Sequence, residues 1–252
     1  MDLPRTPSFR LDGRRALVTG GTRGIGLGAA VALAEAGAAV TIVARTGVDA
    51  VVSDCLEAGL VVEGRELDVT DTNGVASFIG LAEPFDILVN SAGTARHSAF
   101  TEISEADYRA VIDLNVAATL FVSQAVAKRL IERKKPGSII SISSQMGHVS
   151  GPRRAVYSAS KFAVEGLTRA MAIELGPHNI RANTICPTFI ETALTANTLA
   201  DPDFRAWVLG KIKLGRLGRI EDLMGPVVFL AGDAAALITG SALMVDGGWT
   251  AE

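Results

Sequence analysis

Ala16-Leu17-Val18-Thr19-Gly20-Gly21-Thr22-Arg23-Gly24-Ile25-Gly26 is the stretch on which the reading of this 252-residue chain turns. Ala16 to Thr19 is a short apolar run of the kind a buried parallel strand needs, and a helix-period pattern, Leu27 to Ala36, follows the glycines. Strand, glycine loop and helix in that order suit a phosphate cradle. Glycines let the backbone come close to a pyrophosphate, and the amide hydrogens at the helix start carry a partial positive charge toward it. A structural turn without ligand is the competing reading. The strand and helix on either side raise the stretch above a lone glycine motif.

The alternation continues along the chain. Apolar runs at Ala39 to Ala44, Leu60 to Leu67, Ile87 to Asn90, Ser138 to Ser143, Arg181 to Ile185 and Ala242 to Val245 stand between helix-period segments. Strands and helices in turn imply right-handed crossovers and a parallel sheet covered on both faces. The fold class is therefore α/β. With no linker or repeat to divide it, the span 1–252 reads as a single domain, with 1–13 as an N-terminal arm.

Composition narrows the function. A hydrophobic share of 48 % and a mean hydropathy of +0.33 fit buried strands, and the apolar runs break before membrane-spanning length, so no membrane is expected. A net charge of −3 offers no basic field for nucleic acid and points to a small-molecule partner. The first ten residues, with two prolines and no continuous apolar stretch, do not read as a secretory signal. Cys55 and Cys186 stand far apart without companion histidines in metal-ligand register. No metal site is expected, and a reduced, cytoplasmic setting fits.

Two long helical patterns follow. One opens at Ser104, a candidate cap with Asp107 three residues on, and runs to Arg133, Lys134 and Lys135 before Pro136-Gly137. The other, Ala155 to Leu175, spreads its apolar residues round more than one face, so a partner subunit is expected beside the sheet. Tyr157 and Lys161, four apart, share a face of that helix and place an ammonium beside a phenol. A neighbouring cation favours the phenolate and suits the phenol to proton transfer at an alcohol or carbonyl oxygen, with Ser144 as a hydrogen-bond donor to that oxygen.

The chain resembles the classical short-chain dehydrogenases/reductases over essentially its full length. The motifs that carry the resemblance are the Gly-x-x-x-Gly-x-Gly cradle within Thr19 to Gly26, Asp68-Val69, Asn90-Ser91-Ala92-Gly93, and Ser144, Tyr157 and Lys161. The resemblance implies a Rossmann fold with a doubly wound, seven-stranded parallel sheet and the cofactor across its carboxyl edge. It assigns Tyr157 as general acid/base and Ser144 as the group that polarises the substrate oxygen. Lys161 lowers the tyrosine pKa and binds nicotinamide ribose, and Asn115 is the fourth catalytic residue, holding a water that links Lys161 to solvent.

For the cofactor it implies Gly20, Thr22, Arg23, Gly24, Ile25 and Gly26 at the phosphates, Asp68 and Val69 at the adenine, and Asn90, Ala92 and Gly93 beyond them. Tyr157, Lys161, Pro187, Ile190 and Thr192 lie toward the nicotinamide. An acid at the end of the second strand would read an unphosphorylated ribose; the chain has Arg45 there, with Arg23 as a second cation. NADP is favoured, with NAD as the alternative.

The family usually places Gly after Pro187, and Thr188 in its stead removes conformational freedom and adds bulk. Residues 188–214 correspond to the family's substrate lid. Gln145, His148, Arg153 and Arg154 surround the catalytic stretch and offer hydrogen bonds or charge to a substrate, although packing is the leading reading of His148. Polyols, sugars or hydroxy acids are the expected substrates, with a 3-oxoacyl thioester as the alternative. A non-catalytic cofactor-binding regulator is the competing class; such members usually lose the tyrosine or lysine, and both are present. A homotetramer is expected by resemblance, with a dimer as the alternative. Trp249 is open to a place in its own chain's pocket or a neighbour's.

Overall fold

Along β1 (Arg15–Thr19), Ala16 and Val18 turn to one buried face while Leu17 turns to the other. The same two-residue alternation divides Ile87 and Val89 from Leu88 in β4 (Ile87–Asn90), and Ile140 from Ile139 in β5 (Gly137–Ile142). Both sets are apolar, so helices must cover the sheet on both sides. The computed structural model, which describes residues 2–251, contains one such sheet. β2 (Ala39–Ala44), β3 (Val62–Glu66), β6 (Ile180–Pro187) and β7 (Ala242–Val245) complete it in the order β3-β2-β1-β4-β5-β6-β7, with every pairing parallel. The expected Leu60 to Leu67 run is shortened to a mostly exposed edge strand.

α1 (Gly24–Glu35), α2 (Val48–Glu57) and α9 (Glu221–Ala231) cover one face, and α3 (Thr72–Leu81) and the long helices between residues 105 and 175 cover the other. The chain fans outward from the neighbouring strands β1 and β4, so their carboxyl ends flank a crevice. Thr19 at the end of β1 braces it: its Oγ1 accepts from the amides of Ser91 and Ala92, each at 3.1 Å. The arm ahead of β1 is fastened by Leu11 N–H to the Ala36 carbonyl (2.8 Å) and by the Arg10 guanidinium to the Glu35 carbonyl (3.0 Å).

Ser104 caps α4 (Glu105–Ile112) by accepting from the Asp107 amide at 3.1 Å. One π-helical turn, Asp113–Ala117, then interrupts the expected continuous helix before α5 (Ala118–Glu132). The end comes earlier than Pro136-Gly137, at Lys134, whose left-handed φ of 51° turns the chain toward β5. By length and composition Glu105–Glu132 is a helix apolar enough to cross a membrane, with a mean hydropathy of 1.6 in its most apolar 18-residue window. Here Val122, Val126 and Leu130 are buried against α3 and the sheet, which accounts for that apolarity.

Candidate active site

The crevice has a cofactor wall made mainly of backbone. Gly20 N–H donates to the Val43 carbonyl at 2.8 Å, Gly24 adopts a left-handed φ of 55°, and a Cβ on Gly26 would overlap the Gly20 carbonyl. No side chain caps the first turn of α1, so its leading amides are available to an outside acceptor. An uncapped helix start lined by Thr22 to Gly26 fits a pyrophosphate. Thr192 stands across it, its Cγ2 3.6 Å from the position a Gly24 Cβ would take.

Arg23 and Arg45 are exposed at the rim, and among the described residues neither guanidinium has a hydrogen bond or ion pair. Asp68 accepts from the Thr70 amide (2.9 Å) and hydroxyl (2.7 Å). Those bonds, with Arg45 nearby, hold its carboxyl below the usual range. Val69 is buried beside it. Asn90 Nδ2 donates to Ser123 Oγ at 2.9 Å, while its Oδ1 is buried without a partner. Gly93 faces Asn115, whose Oδ1 is 3.3 Å from where a Cβ would stand.

At the far end, Pro187 and Ile190 are buried, and the Thr188 hydroxyl oxygen is buried without a partner. Thr188 has no positive φ, so the expected penalty for replacing glycine is corrected: the backbone there is open to any side chain.

The proton site lies where β5 gives way to α6 (Ala155–Leu175). Ser144 ends the strand's extension, accepting from Met146 N–H (3.1 Å) and donating to Gln145 Oε1 (2.7 Å). Lys161, one helical turn beyond Tyr157, holds its Nζ 5.6 Å from the phenol ring centroid and donates to the Ile142 carbonyl at 2.8 Å. Burial pushes the Tyr157 phenol above its ordinary value, against the opposing hydrogen bond from Ser144 and charge of Arg154. Arg154 is one cation that opposes that rise. Burial lowers Lys161 to about 8, with Cys186 and Glu165 acting the other way.

Asn115 is buried in the π turn. Its side chain receives the Thr94 amide (2.9 Å) and donates to the Thr94 carbonyl (2.9 Å) and Ser160 Oγ (3.1 Å), joining the loop after β4 to α6. Its own carbonyl is taken by the Thr119 hydroxyl at 2.9 Å. Turns of this kind commonly mark functional positions in helices.

Behind Lys161 sits a second group. Glu165, buried, accepts from the Thr184 hydroxyl (3.1 Å) and the Cys186 thiol (3.3 Å), and His148 Nε2 lies 3.6 Å from it. His148 therefore turns inward, and Cys186 has the spatial histidine companion that its sequence neighbours lack. Burial, then Glu165, pushes the thiol up to about 12.

The segment expected to form a substrate lid is helical. Residues 188–214 fold as α7 (Ala193–Leu199) and α8 (Pro202–Lys211), with a small apolar core of Met146, Val208, Ile212 and Leu217. Trp249 belongs to its own chain's lid core: it stacks on Phe189 at 5.8 Å and meets Trp207 edge-on at 5.4 Å. Arg154 is buried against Phe189 and Phe204, and Arg153 before it takes a left-handed φ of 61°.

A family model described as enoyl-(acyl carrier protein) reductase matches residues 20–250. D-erythrulose reductase of Gallus gallus is 39 % identical over 245 residues, covering 96 % of this chain and 98 % of that protein. Gluconate 5-dehydrogenase of Gluconobacter oxydans is 39 % identical over 251 residues, 96 % of each. The chain belongs to the classical short-chain dehydrogenases/reductases. A gluconate 5-dehydrogenase from Burkholderia cenocepacia, solved with NADP and tartrate, superposes with a TM-score of 0.93 at 36 % identity, over 97 % of this chain and 98 % of that one.

Some residues of this dehydrogenase/reductase site escape sequence reasoning. His97 reaches the phenol ring edge-on at 6.3 Å from the loop after β4, a contact that no local spacing signals. Glu165 had a signal, four residues beyond Lys161 on one helix face.

Proposed function

We propose that this oxidoreductase interconverts a secondary alcohol and a ketone on a polyhydroxylated substrate (a polyol, sugar or hydroxy acid), with NADP as cofactor and NAD as the weaker substitute. The observation that carries the reading is the convergence of Ser144, Tyr157 and Lys161. Bound NADP supplies a hydride to the carbonyl carbon or accepts one from the alcohol carbon. Ser144 leaves Gln145 to hold the substrate oxygen, and Tyr157 gives or takes that oxygen's proton. Lys161 would hold the nicotinamide ribose, and its ammonium, 5.6 Å from the phenol ring centroid, favours the phenolate. Asn115 is a positioning residue, and we assign to its π turn the water that carries protons between Lys161 and solvent.

Arg23 and Arg45 would face the 2′-phosphate, and the solved relative with NADP and tartrate, a hydroxylated acid, supports both cofactor and substrate class. The same reading makes the protein a homo-oligomer, a tetramer before a dimer. Exposed Tyr108, Leu120, Phe121, Phe162 and Ile173 on α4 to α6 supply an apolar face for a second copy. A cytoplasmic setting accords with two buried free cysteines.

The test is turnover of polyols, ketoses, sugar acids and 3-oxoacyl thioesters with NADPH or NADP⁺ and with NADH or NAD⁺. Activity on the hydroxylated compounds with the phosphorylated cofactor is expected. Activity confined to thioesters overturns the substrate reading, and a strong NADH preference overturns the role of Arg45.

A further inference from the structure

Among the described residues, nothing pairs with the buried charge of Arg154. It is 6 % exposed, and among the described residues its guanidinium has no hydrogen bond or ion pair, only the faces of Phe189 at 5.9 Å and Phe204 at 5.4 Å. Burying a cation is costly without a partner, and two aromatic contacts offset only part of that cost.

The local backbone works against its own stability to achieve this. Arg153 is left-handed, a strained conformation for arginine. Arg154 then stands at the N-cap of α6, whose first turn has no acid, so a cation meets the positive end of a helix. The neighbours strengthen the field. Arg154 and Arg153 both act on His97, which burial first and then these charges push down to about 4. Of the groups that act on Arg154 itself, the one able to become an anion is the Tyr157 phenol. Among the described residues, no carboxylate pairs with Arg154 beside that phenol.

We propose that Arg154 anchors a carboxylate of the substrate, so that the enzyme acts on a polyhydroxy monocarboxylate in preference to the neutral sugar or polyol of the same length. This rests on the functional reading above and narrows it. A planar guanidinium offers two parallel N–H groups to the two oxygens of a carboxylate. A paired guanidinium and carboxylate match one buried cation to one negative charge.

The experiment compares four- to six-carbon aldonates with the alditols that carry CH₂OH in place of the carboxylate, and with sugar phosphates. It uses wild type, Arg154→Gln and Arg154→Lys. In wild type the aldonates are expected to give the highest kcat/KM. In Arg154→Gln the ratio of aldonate to alditol kcat/KM should fall on the order of 10²-fold, and Arg154→Lys should restore part of it. An unchanged ratio, even with lower absolute rates, would assign Arg154 to lid packing and overturn the proposal. A wild-type preference for alditols or sugar phosphates would do the same.

If nothing in the panel turns over with either nicotinamide, the parent reading fails. Calorimetric titration of the aldonates into NADP⁺-loaded protein then judges Arg154 separately. Binding that Arg154→Gln abolishes supports the anchor; no binding, or equal binding by both proteins, rejects it.

Discussion

The two walls of the crevice are built on opposite plans. The cofactor wall, from Thr19 to Gly26, is shaped by missing side chains: a left-handed glycine, a glycine pressed on a carbonyl, and a helix start without a cap. The substrate wall is shaped by large ones, with Arg154, Phe189, Phe204, Trp207 and Trp249 packed around a loop and two short helices. Backbone groups recognise the phosphates every nicotinamide dinucleotide carries. Side chains, which can be exchanged without moving a strand, decide which alcohol enters.

The sharpest test of that division falls where the walls meet. Tyr157→Phe should lower kcat by about 10³-fold, within the range of a lost general acid/base, while NADPH affinity measured by fluorescence titration stays within about threefold. An equal loss of both would place the phenol in the cofactor wall.

Gly26→Ala probes the other side. Its methyl must displace the Gly20 carbonyl, so NADPH affinity should fall about 10²-fold, with circular dichroism reporting whether the fold survives. Normal affinity in a folded variant would show that the cradle tolerates side chains, and the contrast would collapse.

Arg45→Asp should reduce the NADPH to NADH ratio of kcat/KM by roughly 10- to 100-fold, with little change in alditol or aldonate preference. An altered substrate ranking would mean the two walls are not independent.

The smallest effect is expected at the lid's return into α9, where Arg216 donates to Asp222 at 2.6 and 2.8 Å. That bond, with the Arg219 amide, holds the Asp222 carboxyl at about 2, below its ordinary value. A depressed carboxylate contributes stability above the unfolded pKa and loses it as pH falls through the folded one. Asp222→Asn should therefore cost no more than about 1 kcal/mol near neutrality, since the pair is solvent-screened. In urea melts its difference from wild type should fade between pH 4 and pH 2. A difference that persists at pH 2 would rule out the ion pair as its source.

The contrast also explains what could be read from the sequence. Ala16 to Thr19 and Ile87 to Asn90 coincide with strands or fall within them because both sheet faces demand apolar residues. The glycine loop and the Tyr157–Lys161 spacing are local signals. The π turn at Asp113–Ala117 has no local signature, since it arises where Asn115 is pulled toward Thr94 and Ser160. Arg153 and Arg154 read alike in the sequence as candidate substrate contacts, and only Phe189 and Phe204, brought over the second, tell them apart. His148, Glu165 and Cys186 come from a loop, a helix and a strand, and register alone cannot reveal that they meet.

The chain has two tryptophans, Trp207 and Trp249, and both lie in the lid core. Its indole emission is therefore a built-in optical reporter of the flap, free of background from the sheet. Any rearrangement of α7 and α8 on ligand binding would be observable in stopped flow without any attached dye.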